Sequence, residues 1–279
     1  MRWTARRVPR GRKPYSLFAI PAATAMLAAV LAVPADGGAA SAIDRLDPAY
    51  RMAGTSRAGQ SFGGLAAVGA LFSYTSGKLG SHFCTASVVH SQDGDLAVTA
   101  AHCVTGSKAG TIAFVPGYAN GQAPFGVFEV AQVYTDQAWQ ATQDPDDDVA
   151  FLRLSPASDG VPVEDVTGAE QLGTGQAQAQ QAGTLVQVIG YPDGAAQPVW
   201  CVNWATTFSA TQWQFDCDGY TDGTSGGPFL AGVSSVSGQG TVIGVIGGYE
   251  QGGLTPSVSY SAVFGTAVAA LYQLAQADG

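Results

Sequence analysis

From Val68 onward the chain alternates short apolar runs with turn residues, and it does so in two separate series. The first series is VGALFSY, TASVVH, LAVTAA, TIAFVP, GVFEVAQVY and VAFLRL. The second is TLVQVIGY, VWCVNWATTF, TQWQFDC, GPFLAG, TVIGVIGG and SVSYSAVF. Runs of this length between Gly, Pro, Asn and Asp clusters read as β-strands. The Gly/Gln/Ala-rich stretch 171–183 between them reads as a connector. The last segment, AVFGTAVAALYQLAQ, spaces its apolar residues at helical intervals and predicts a helix over about 262–277. The pattern therefore predicts an all-β chain of two packed β-barrels, about 64–170 and 183–262, closed by a C-terminal helix. The 37 glycines and the 12% of charged residues suit such a turn-rich fold, and 46% apolar residues exclude disorder.

The first 42 residues differ in kind. Arg2, Arg6, Arg7, Arg10, Arg12 and Lys13 form a basic head, Leu17 to Val33 is an uncharged apolar run, and the stretch ends Ala40-Ser41-Ala42. This is the pattern of a secretory signal peptide cleaved after Ala42. Pro21 interrupts the apolar run, which is at the short limit for a membrane span. Residues 43–63 are polar and small and read as a propeptide or a flexible N-terminal segment. Cleavage after Ala42 removes six of the 12 basic residues and one of the 21 acidic ones, leaving six and 20, a formal charge of −14. No basic surface remains to neutralise phosphates, so a nucleic-acid partner is not expected. A secreted, extracellular monomer with no membrane attachment after cleavage is the expectation.

Four cysteines in an exported chain, Cys84, Cys103, Cys201 and Cys217, read as two disulfides. Of the three possible pairings, 84–103 and 201–217 are favoured, because each joins segments that look like neighbouring strands. No C-x-x-C pair occurs and only His102 adjoins a cysteine, so neither zinc nor any other metal or cofactor is expected. The acidic stretch Asp144, Asp146, Asp147, Asp148 lacks the glycine and glutamate spacing of an EF-hand.

Ser225 lies in a nest of small residues, Gly223-Thr224-Ser225-Gly226-Gly227-Pro228. Glycines allow close backbone approach and strained angles, which suits a hydroxyl whose neighbouring N–H groups must face a reacting oxygen. A nucleophilic serine needs a base. The three histidines, His82, His90 and His102, all precede it. That order excludes the α/β-hydrolase reading of G-x-S-x-G, in which the histidine follows the serine. His102 directly follows an apolar strand and is flanked by small residues and Cys103. His82 and His90 sit in polar surroundings and read as solvated surface histidines. Asp148 directly precedes the apolar run Val149-Ala150-Phe151-Leu152, so of its acidic cluster it is best placed to point inward and orient a histidine.

CTAS…TAAHC, DDDVAFL and DGTSGGPF, in the order His, Asp, Ser, resemble the trypsin/chymotrypsin family of serine endopeptidases. The resemblance runs from about residue 64 to the C-terminus. With few cysteines and the segment Gly190-Tyr191-Pro192, it is closer to the bacterial secreted branch. It implies two six-stranded antiparallel barrels and hydrolysis of protein or peptide substrates through an acyl-enzyme. It makes Ser225 the nucleophile, His102 the general base and Asp148 the orienting carboxylate, with the N–H groups of Gly223 and Ser225 as the oxyanion hole. The alternative is an inactive homologue on the same fold, acting as an extracellular binding protein.

Two departures from the family pattern stand out. Thr224 replaces the aspartate that pairs with a newly cut N-terminus in trypsins, and no Ile-Val-Gly-Gly start is present, so trypsin-style activation is not implied. The resemblance places the specificity pocket at Gly219 and Tyr220, with a wall at Gly248 and Tyr249. Gly219 stands where trypsins carry an aspartate, and no histidine follows His102 to serve a glutamyl-specific pocket. Tyr220 and Tyr249 either narrow this pocket or are core aromatics.

Overall fold

The computed structural model describes residues 55–278 apart from 109, 158 and 176–182. The predicted signal peptide and residues 43–54 lie outside the described residues. Fourteen strands follow one another among those described. They are β1 (Gln60–Ser61), β2 (Val68–Thr75), β3 (Lys78–Val88), β4 (Leu96–Thr99), β5 (Ile112–Pro116), β6 (Phe128–Thr135) and β7 (Ala150–Leu154). Then come β8 (Gln171–Leu172), β9 (Thr184–Gly190), β10 (Val199–Thr207), β11 (Gln212–Asp216), β12 (Pro228–Ala231), β13 (Thr241–Val245) and β14 (Val258–Ala262).

Strands β2 to β7 close into a six-stranded barrel in the order β2-β3-β4-β7-β6-β5. Every pairing within it is antiparallel. The β2–β3 hairpin turns on Ser76 and Gly77, both at positive φ, which matches the twist of the flanking strands. Leu71, Val88, Leu96, Phe114, Phe128 and Phe151 are fully buried inside it.

Strands β9 to β14 form a curled sheet in the order β14-β11-β10-β9-β12-β13, antiparallel throughout. The six strands of the second series are thus all present. Two short strands are added to them, β8 parallel to β13 and β1 antiparallel to β10. Val188, Trp213, Phe215, Phe229 and Ile243 fill this half, with the Phe215 and Phe229 rings 5.6 Å apart.

Both additions depart from the sequence reading. Residues 171–172 were expected in a connector and pair instead with β13. The residues before Gly64 were expected to be loose. Instead, Ser56 N donates to Val202 O (2.7 Å), Asp218 N to Arg57 O (2.9 Å) and Gly59 N to Asp218 O (2.7 Å), and Phe62 is buried in the core. One aromatic anchor and a run of backbone bonds hold a segment whose side chains show no period.

The C-terminal helix spans Thr266–Ala277, four residues later than the apolar spacing suggests, because Ala262 ends β14 and Gly265 keeps an extended backbone. Val268, Leu271 and Ala275 face inward, and Arg153 of β7 bonds both Asp95 (2.8 Å) and the Ala275 carbonyl. Cys84–Cys103 and Cys201–Cys217 are both bonded, as the strand adjacency suggested.

Candidate active site

His102 lies on a single helical turn, Ala101–Val104, directly after β4. The small residues before it are fully buried, and Thr99 Oγ1 donates to Thr85 O (2.7 Å), tying the strand end to β3. The Cys84–Cys103 disulfide makes a second tie beside the imidazole. Asp148 follows a short 3-10 turn, Pro145–Asp147, and is 1% exposed while Asp144 and Asp146 are exposed.

The Asp148 carboxylate is filled by N–H donors. Oδ2 accepts from His102 Nδ1 (2.7 Å) and from Gly248 N (2.9 Å), and Oδ1 accepts from His102 N (2.8 Å). A carboxylate accepts only, so the proton on this side of the ring belongs to Nδ1, and Nε2 keeps its lone pair. Among the described residues, Ser225 Oγ makes no hydrogen bond to Nε2. Bonds of this kind often tighten only in the substrate complex.

The loop around Ser225 is locked from several directions. Thr85 N donates to Ser225 O (2.7 Å), Gly226 N to Ile246 O (2.7 Å) and Gly227 N to Thr224 O (3.0 Å). Thr85 Oγ1 donates to Gly223 O (3.0 Å), and Thr224 Oγ1 to Thr221 O (2.7 Å). Gly226, at φ +80°, leaves a would-be Cβ only 2.1 Å from Thr99 Oγ1. Gly223, at φ +90°, leaves one 2.5 Å from Asp193 N. No side chain fits at either place.

Asp193 N donates to Asp222 O (2.6 Å). No cis peptide occurs among the described residues, so the Asp222–Gly223 bond is trans and its N–H points opposite to its carbonyl. With the carbonyl held by Asp193, the Gly223 N–H faces the other way, and neither it nor the Ser225 N–H has an acceptor among the described residues.

A cavity of about 480 Å³ opens beside Ser225. Tyr220, Thr221, Ile246, Gln251–Pro256 and Ser259 line it, together with Asp193 and Asp222. Of the residues expected at a specificity pocket, Tyr220 lines this cavity, and its hydroxyl is spent on Val188 O (2.8 Å). The other three lie elsewhere. Gly219 packs near Gly59, Gly248 bonds Asp148 with its N–H, and Tyr249 packs outside, tilted against Phe208 (5.0 Å) and edge-on to Tyr260 (5.1 Å). The short 3-10 turn Tyr249–Gly252 carries Tyr249 outward.

His82 is a correction. It is 6% exposed, packed edge-on to Phe72 (5.5 Å), with Nε2 against Ala195 O (3.2 Å). Register shifts in the β2–β3 pairing on either side of it, which place the extra residues in β3, and contact with Ala195, 113 residues away, bury this residue. His90 is exposed and pairs with Glu164 at 2.7 Å. The donor atoms of Cys84, His102 and Cys103 lie within 4.8 Å of one another, but both sulfurs belong to the disulfide and offer no thiolate. Sequence reasoning missed Gly248, Gln212, Thr85 and Asp193 as supports of the site. Of these, only Thr85, beside Cys84, carried a local signal.

The trypsin family profile matches residues 63–264. The chain belongs to the trypsin family. It is similar to the protease Anisep from Arthrobacter nicotinovorans (25% identity, TM-score 0.66, covering 78% of this chain and 99% of that one). It is also similar to the thermostable serine protease AL20 from an extremophilic microorganism (25% identity, TM-score 0.63, 77% and 98%). A Glu endopeptidase shares the fold at 15% identity (TM-score 0.61, 80% and 98%). No curated protein sequence matches. The protein is therefore a serine endopeptidase, acting on protein or peptide substrates.

Proposed function

We propose that this trypsin-family member is an exported endopeptidase that works through Ser225, His102 and Asp148. Ser225 Oγ attacks the scissile carbonyl. His102 Nε2 takes its proton and returns it to the leaving amine, and water then cleaves the acyl-enzyme by the same route. Asp148 holds the tautomer and balances the imidazolium as it forms. The N–H groups of Gly223 and Ser225 receive the oxyanion. The observation that carries this reading is the 2.7 Å bond from His102 Nδ1 to a buried Asp148, which aims Nε2 outward.

Thr224 takes over the work of the missing aspartate. Its backbone and hydroxyl bond within the loop, to Thr221 O at 3.1 and 2.7 Å, so the loop is held without a new N-terminus. Residues 1–42 act as the signal peptide, and the bonded segment from Ser56 onward belongs to the mature domain.

Labelling with a fluorophosphonate, followed by peptide mass spectrometry, tests the reading. An adduct on Ser225 that is absent from Ser225→Ala supports it. Folded, disulfide-bonded protein that takes up no label would instead favour the non-catalytic binding homologue.

A further inference from the structure

Gln212, at the start of β11, is buried at 4% exposure and lies outside the three residues just assigned. Its amide spans two segments that meet around Asp148. Nε2 donates to Asp146 Oδ1 (2.7 Å) and to Pro145 O (3.2 Å), both in the turn that delivers Asp148. Oε1 accepts from Tyr249 N (3.0 Å), the residue after Gly248, whose own N–H donates to Asp148 Oδ2. A carboxylate and a carbonyl can only accept and an N–H can only donate, so the partners fix which way the amide faces.

The fit is close. Gly248 has φ +75°, and a Cβ there would lie 2.3 Å from Gln212 Oε1. The backbone of Gly248 therefore rests on the Gln212 amide on one side and bonds the Asp148 carboxylate with its N–H. Asp148 has no partner of its own on β11. Its position is set by the 145–147 turn before it and by the Gly248 N–H across from it, and Gln212 bonds both to that turn and to the Tyr249 N–H next to Gly248.

We infer that Gln212 is a positioning residue for His102. It clamps the turn 145–147 to residues 248–249 and thereby holds the Asp148 carboxylate in line with Nδ1. The inference rests on the assignment of Ser225, His102 and Asp148 above. A misplacement of about 1 Å in such a supporting layer is enough to cost of order 100-fold in rate. Gln212 is buried and does not line the cavity beside Ser225, so the loss should fall on kcat and not on KM.

Gln212→Leu keeps the bulk and removes all three bonds. Gln212→Glu keeps an acceptor for Tyr249 N and sets a carboxylate against Asp146 and the Pro145 carbonyl. Each variant is compared with wild type by active-site titration, kcat and KM on one peptide ester, thermal midpoint, and the proton NMR resonance of the His102 Nδ1–H. Leu271→Ala, in the C-terminal helix, serves as a control that lowers stability away from the site. Expected for both Gln212 variants is a 10- to 100-fold fall in kcat with KM within about twofold of wild type. The Nδ1–H resonance should move or broaden, while Leu271→Ala keeps it. Wild-type kcat and an unmoved resonance in both variants would overturn the inference, as would losses no larger than those of Leu271→Ala at an equal drop in midpoint. Failure of the underlying assignment looks different: Ser225→Ala would then still turn over the ester.

Discussion

The Asp193 N–H donates to the Asp222 carbonyl at 2.6 Å, and through the trans peptide that follows, this bond turns the Gly223 N–H to the opposite side. The N–H proposed as an oxyanion donor is thus set by a residue 30 positions earlier in the chain. Asp193→Pro removes the donor, whereas Asp193→Ala keeps it. The expected result is a fall in kcat of about 100- to 1,000-fold for the proline variant, the range for losing one oxyanion donor. The alanine variant should stay close to wild type. Steady-state kinetics on one ester substrate decide it, and equal behaviour of the two variants would refute the peptide-orientation argument.

Asp148 and Asp147 are adjacent carboxylates with opposite expectations. Only Asp148 touches His102; Asp147 is partly exposed and bonds no side chain among those described. Asp148→Asn should lower kcat by about four orders of magnitude, because the amide presents a donor to Nδ1 and favours the wrong tautomer. Asp147→Asn should stay within about threefold of wild type. A reversal of the two would place the orienting carboxylate one residue earlier.

Much of the site was legible because its parts sit inside local sequence signals. His102 ends an apolar strand beside a cysteine, Asp148 opens another strand, and Ser225 lies among glycines that the close contacts of residues 223 and 226 require. What the sequence hid is held by distant partners. His82 looked solvated because its cover, Phe72, Tyr118 and Ala195, comes from three other segments. Gln212 looked like an ordinary strand residue because its partners lie 66 and 37 positions away. Tyr249 lies off the cavity beside Ser225 for a local reason: the left-handed residues Glu250 and Gln251 turn the chain there, and neither residue type signals such a turn.

Glu170 gives the fold a pH dependence unrelated to catalysis. It is fully buried; Oε2 accepts the Gly240 N–H, and Oε1 has no partner among the described residues. Burial raises its pKa from 4.5 to about 8, opposed in part by the Gly240 N–H. The folded state therefore binds this proton more tightly than the unfolded chain does. Below pH 4.5 both states are protonated and the group costs nothing. As pH rises from 4.5 to about 8 the unfolded state gains the advantage, by up to about 1.4 kcal/mol per pH unit, and above 8 the loss levels off. Glu170→Gln should flatten this part of the profile and raise the unfolding midpoint at pH 9 relative to wild type. Denaturant unfolding at pH 5, 7 and 9 tests it; parallel profiles for the two proteins would show that Glu170 does not titrate in this range.

Among the described residues that line the cavity beside Ser225 there is no Lys, Arg or His, and the only carboxylates are Asp193 and Asp222. Both are exposed at the mouth, so each acts on a substrate charge through solvent, with up to about 1 kcal/mol apiece. A glutamate next to the scissile bond meets two like charges there, and a lysine or arginine meets two opposite ones. In a quenched-fluorescence peptide series that varies only the residue before the cut, kcat/KM should be roughly 10-fold lower for Glu than for Gln. The Glu/Gln gap should narrow in 1 M salt, where the Debye length falls to about 3 Å. It should also narrow in Asp222→Asn, read as a ratio of substrates so that any change in turnover cancels. A preference for Glu that survives high salt would mean that the substrate side chain avoids both carboxylates and takes its specificity from the uncharged inner wall around Ser259.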